Sequence, residues 1–269
     1  MRLAAHRPEL ESPVLGRFHE VSITTADIRA AVEFYEALGF TQASTTDAWP
    51  YPYGVLSDGR LAIGLHQGRA PAAAPAPPAR AAVARATAQF ALTFVLPGVA
   101  AQRARFEQLG IELSVCRTGD EVFNEVGFRD PFGQEVHGLE ARTYSPVDRQ
   151  PDTLSLCGYF AQVSLPAADF EAARAFWEPL GFVAMPQVRT PYVHLPLTSD
   201  YLDLAFHRPR TFAAPLLVFR DPQMPERLAR LRELGINPTG ELPQGVAPEG
   251  NAIVESPDGT LLLLLQEAG

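Results

Sequence analysis

The sequence predicts an α+β protein made by duplication, with four strand–helix–strand units arranged two to a domain. The main observation is a repeat: DIRAAVEFYEALGF at Asp27–Phe40 returns as DFEAARAFWEPLGF at Asp169–Phe182. An alternating run precedes each copy, FHEVSITT and YFAQVSLP, and alternation marks a half-buried strand. Later segments echo one another as well. LHQGR at Leu65 matches FHRPR at Phe206, FEQLGI at Phe106 matches LRELGI at Leu231, and PFG at Pro131 matches PDG at Pro257. The first of these pairs is 141 residues apart and the later two 125 and 126, as expected if an Ala/Pro stretch of the first half is missing from the second. Such self-similarity is the signature of units of about 50–60 residues.

Each element has a local reason. Asp27 and Asp169 are suited to cap a helix N-terminus by accepting from an unpaired backbone N–H. Ile28, Val32, Tyr35 and Leu38 recur at helical spacing, and Gly39 and Gly181 follow where a left-handed C-cap favours glycine. YPYGVLSDGRLAIGLH reads as two strands joined at Ser57–Asp58–Gly59. Proline and alanine from residue 70 to 86, without apolar periodicity, read as an extended linker. FALTFVL from Phe90 is a strand, and the segment from Ala100 to Gly110 a glycine-capped helix. EVFNEVGF and QEVHGLE are strands around the turn Asp130–Pro131–Phe132–Gly133. The polar stretch from Thr143 suits a boundary. The expected domains are therefore 17–142 (units 17–69 and 87–142, linker 70–86) and 158–267, joined by 143–157.

At 269 residues and 46% hydrophobic, the chain has material for two cores. A net charge of −9 argues against nucleic acid, whose phosphates need clustered Lys and Arg. No apolar run approaches the roughly 18–20 residues of a membrane span, and the N-terminus lacks a signal-peptide core. Cys116 and Cys157 form no CxxC pair, so neither a disulfide framework nor a zinc site is expected, and a cytoplasmic location is. There is no nucleophile elbow and no phosphate-cradling glycine loop.

Asp, an apolar helix with Phe-Tyr near its end, Leu-Gly-Phe, and later Asp-Pro-x-Gly before a final strand resemble the vicinal oxygen chelate superfamily of glyoxalases, bleomycin- and fosfomycin-resistance proteins and extradiol dioxygenases. The resemblance spans about Arg17 to Gln266 and rests on packing and turn residues. It implies four βαβββ modules paired into two glyoxalase/bleomycin-resistance-like domains, each sheet cupped around a cavity. Carried over from the family motif, the ligand positions are Glu20, Gly64, Gln89 and His137 in the first domain and Gln162, Ala205, Ala214 and Leu263 in the second. The second set cannot hold a metal. The first offers Glu20, Gln89 and His137, provided that modules pair within a domain.

Alternation sets the facing of each side chain. Val21 and Ile23 should face the helix, and Glu20 and Ser22 the cavity. Phe90, Leu92 and Phe94 should pack, with Gln89, Ala91 and Thr93 opposite. His66 shares the cavity side with Ala62 and Gly64, while His19 is expected on the helix side or at the strand end. Trp49, Tyr51 and Tyr53 are suited to line a pocket by stacking. Without a metal, His137 would be satisfied by Glu20. The expected ligand-binding set is Glu20, Ser22, Trp49, Tyr53, His66, Gln89 and His137. Three functions follow: a binder of a small organic molecule; a metal-dependent lyase or dioxygenase holding one Fe, Mn, Ni or Zn ion; or a protein-interaction module. A monomer or homodimer fits all three.

Overall fold

The computed structural model describes residues 14–43, 51–68, 90–119, 124–140, 155–239 and 241–267. The expected linker 70–86, together with Trp49 and Gln89, lies outside them. Three modules are βαβββ. The first is β1 (Arg17–Thr25), α1 (Ile28–Ala37), β2 (Thr41–Ala43), β3 (Tyr53–Ser57) and β4 (Ala62–Gln67). The second is β5 (Phe90–Leu96), α2 (Val99–Gln108), β6 (Leu113–Arg117), β7 (Glu125–Arg129) and β8 (Glu135–Glu140). The third is β9 (Tyr159–Pro166), α3 (Phe170–Trp177), β10 (Val183–Ala184), β11 (His194–Thr198) and β12 (Asp203–His207). In the fourth, β13 (Leu216–Asp221) and α4 (Met224–Glu233) are followed by β14 (Ala252–Glu255) and β15 (Leu261–Gln266), two strands among the described residues.

The modules pair contiguously. One eight-stranded sheet runs β2-β3-β4-β1-β5-β8-β7-β6, and one seven-stranded sheet runs β10-β11-β12-β9-β13-β15-β14. At the centre of each, the first strands of two modules meet antiparallel, β1 with β5 and β9 with β13. This placement brings Glu20 and His137 into one sheet. The helix caps follow their chemistry: Asp27 accepts from the Ala30 N–H and Asp169 from those of Glu171 and Ala172. Gly39 and Gly181 both have left-handed φ, 92° and 106°.

The helix-facing sides of both sheets share one apolar core, in which Val21, Ile23, Leu92 and Phe94 join Val163, Leu165, Leu217 and Phe219. The contacts between the two halves are reciprocal. Trp177 Nε1 lies 3.4 Å from Asp130 Oδ2, in the turn before β8. Its counterpart Tyr35 is fully buried, and its hydroxyl faces the equivalent Ser256–Thr260 turn. Arg17 covers the Tyr201 ring at 5.4 Å, and Arg60 the Tyr159 ring at 5.3 Å. Among the described residues, no helix is long and apolar enough to cross a membrane.

Candidate functional site

The two cups have opposite fillings. In the second, Leu216, Val218, Ile253, Leu263 and Leu265 occupy the concave face, and Tyr192, Phe212 and Val246 from the loops pack onto them. In the first, the equivalent positions are Ala91, Thr93, Gly127, His137 and Leu139, of which all but Leu139 are small or polar. A cavity of about 450 Å³ remains there, lined on one side by Glu20, Ser22, Thr93, Tyr51 and His66 and on the other by Val115, Val126, Gly127, His137 and Leu139. That volume lies within the range of about 300–1,000 Å³ typical of small-molecule sites.

Glu20 is the centre of the polar side. It is only 2% exposed. Oε1 accepts from Ser22 Oγ at 2.8 Å and lies 3.4 Å from His66 Nε2. Oε2 accepts from the Tyr53 hydroxyl at 2.6 Å, with His19 Nε2 at 3.6 Å. Since Ser22 gives its proton to the carboxylate, the 2.7 Å Ser22–Thr93 bond is donated by Thr93. Burial pushes the Glu20 carboxyl up, but the His66 hydrogen bond, the nearby imidazoles and Tyr53 outweigh it and hold the group below its usual range. His66 lies on the Tyr53 ring, centroids 4.6 Å apart, with Nδ1 3.4 Å from the Tyr51 hydroxyl. A His66 that donates from Nε2 presents Nδ1 as an acceptor. Burial, then Glu125 and Glu20, raise the Tyr51 phenol.

Two ion pairs flank the apolar residues of the opposite wall. Arg117 meets Glu125 at 2.8 Å, and Arg129 bonds Glu135. His137 Nε2 lies 3.8 Å from Glu135 Oε2, and this contact, ahead of the opposing effect of burial, lowers the Glu135 carboxyl.

The structure thus brings Glu20, Ser22, Tyr53 and His66 into contact and sets His137 on the same cavity. The expected pairing of His137 with Glu20 is corrected: His137 meets Glu135, and His66 takes the place at Glu20. His19 is corrected too. A β-bulge pairs Phe18 with Phe94 and then Glu20 with Thr93, leaving His19 as an extra residue beside the carboxylate. Arg117, Glu125 and Glu135 were not expected in the lining. Glu135 shares parity with His137 and was legible, whereas Arg117 lies on β6, a strand without a clear sequence signal.

A resident metal is what the family resemblance implies, and the donor set among the described residues, which do not include Gln89, does not fit one. Among the described residues, no three His, Cys, Asp or Glu side chains are grouped to hold an ion. Both Glu20 oxygens already accept hydrogen bonds, and the position at Gly64 supplies no donor. In the second cup, Gln162, Ala205, Ala214 and Leu263 offer no charged or imidazole ligand.

Residues 17–137 match the model of the Glyoxalase/Bleomycin resistance protein/Dioxygenase superfamily. Among solved structures, the 2,3-dioxygenase LapB from Pseudomonas sp. KL28 superposes with a TM-score of 0.58 at 11% identity, over 94% of this chain and 92% of that one. Homoprotocatechuate 2,3-dioxygenase from Arthrobacter globiformis gives 0.57 at 17% identity, over 95% and 81%. The Mn(II)-bound glyoxalase from Novosphingobium aromaticivorans gives 0.58 at 14%, over 94% and 82%. At these identities the likeness is one of fold. No curated protein sequence matches the chain. The family match lies in the first half, residues 17–137, and the second half repeats the same architecture, so the whole chain has the paired two-domain fold seen in these structures.

Proposed function

We propose that the chain binds a small organic molecule in the cavity of its first domain, and that the second domain is a closed copy serving packing. The observation that carries this is the contrast between the cups: equivalent positions hold Thr93 and His137 around a hollow in one, and Val218 and Leu263 within a packed cluster in the other. The cavity joins an apolar wall to a few convergent polar groups, the usual composition of a ligand site. A thermal-shift panel of aromatic and amphipathic molecules tests it. Ligands should raise the melting temperature of the wild type, and His137→Leu with Thr93→Val, which import the second cup's residues, should remove the shift. A panel without a shift leaves the protein-interaction reading in its place.

A second reading is favoured by the neighbours, which are 2,3-dioxygenases and a Mn(II)-bound glyoxalase. On it, the chain is a metal-dependent lyase or dioxygenase using Glu20, Gln89 and His137. Stoichiometric uptake of a divalent ion that His137→Ala abolishes would establish this alternative.

A further inference from the structure

We propose that Gly64 determines the character of the first cavity: lacking a side chain, it admits the Glu20 carboxylate into the cavity floor as a fixed internal hydrogen-bond acceptor instead of an ion ligand. The proposal deepens the small-molecule reading above and names the residue on which the site's metal independence rests.

Gly64 sits opposite Ser22 on one side and Val55 on the other, in the interior of β4. A glycine there weakens a strand, so it needs a reason. Its φ is not left-handed, and conformation does not demand glycine. Space does. A Cβ built on Gly64 would fall inside the Glu20 carboxylate, touching both oxygens and the carbon between them. The Glu20 side chain therefore occupies the volume where a ligand side chain would begin at this position. Once there, its oxygens are taken by Ser22 and Tyr53, with His66 and His19 close by. What a ligand meets at this end of the cavity is the Tyr51–His66 surface with Glu20 behind it, a preformed wall that needs no ion to assemble.

The test is a Gly64→Ala substitution in two backgrounds. The clashing atoms are the end of a flexible side chain, so the added methyl group is accommodated by expelling the carboxylate. In the wild-type background, Gly64→Ala should lower the melting temperature by several degrees. It should also shift the His66 ring resonances (identified by loss in His66→Asn) as Glu20→Gln does. In a Glu20→Ala background the space is empty, and the same change should cost nothing. Wild-type protein incubated with Mn²⁺, Fe²⁺, Ni²⁺ or Zn²⁺ and desalted should retain no stoichiometric ion. An equal loss from Gly64→Ala in both backgrounds, or a retained ion that Glu20→Ala removes, overturns the proposal. A wild-type chain that binds nothing in the thermal-shift panel instead refutes the small-molecule reading, while the mutant cycle and the ion measurement still decide the role of Gly64.

Discussion

His207 shows how one residue type is put to two uses in the duplicated chain. Its repeat partner His66 lines a cavity, whereas His207 is fully buried, with Nδ1 2.8 Å from Ser164 Oγ and Nε2 3.1 Å from the Phe212 carbonyl. Burial dominates and pulls its pKa from 6.5 to about 3, helped by His194 and opposed by the Phe212 hydrogen bond. The folded chain therefore refuses a proton that the unfolded chain accepts below about pH 6.5. The stabilisation is complete above that value and is lost as pH falls toward 3. Melting temperature should drop between pH 7.5 and 5. His207→Gln should flatten that drop in part, since His19 and His194 are lowered by burial in the same direction. At this scale, alternation made the facing of Glu20, Ser22, Thr93 and His66 legible. It did not reveal their partners, because hydrogen bonds such as Tyr53 to Glu20 depend on which strands lie side by side.

Strand β1 carries the element-scale lesson. Its bulge at Phe18–Glu20 is repeated in β9, where Phe160 pairs with Phe219 and then Gln162 with Val218. A bulge adds one unpaired residue without changing composition, so alternation holds after it and fails for His19 within it. The entry to β1 is equally specific. Gly16 has φ 63°, and a Cβ there would run into the Val95 carbonyl oxygen, a backbone atom that cannot yield. Gly16→Ala should therefore destabilise the protein by about 3 kcal/mol or more, measured by denaturant unfolding. Strands β2, β6, β10, β11 and β14 had weak signals, being short, edge-placed or without clear alternation. The helices α1 and α3 were plain from caps, stripe and terminal glycine.

For the whole molecule, the doubled architecture was readable because packing and turn residues recur at fixed offsets. The closed second cup was not, since closure comes from Tyr192, Phe212 and Val246 on three loops distant in sequence. Trp177, fully buried between the halves, should cost about 3–5 kcal/mol as Trp177→Ala, and unfolding of both halves should shift together because they share one core. The stacked Arg–Tyr pairs carry one more implication. Residues 17 and 159 occupy matching places, as do 60 and 201, so a self-pairing of first halves would set Arg17 against Arg60 twice over, and a self-pairing of second halves would set Tyr159 against Tyr201. Only the mixed pairing gives each guanidinium a ring. If the halves were made as separate polypeptides, they would be expected to seek each other rather than themselves, so the covalent join reinforces a preference already written into the facing surfaces.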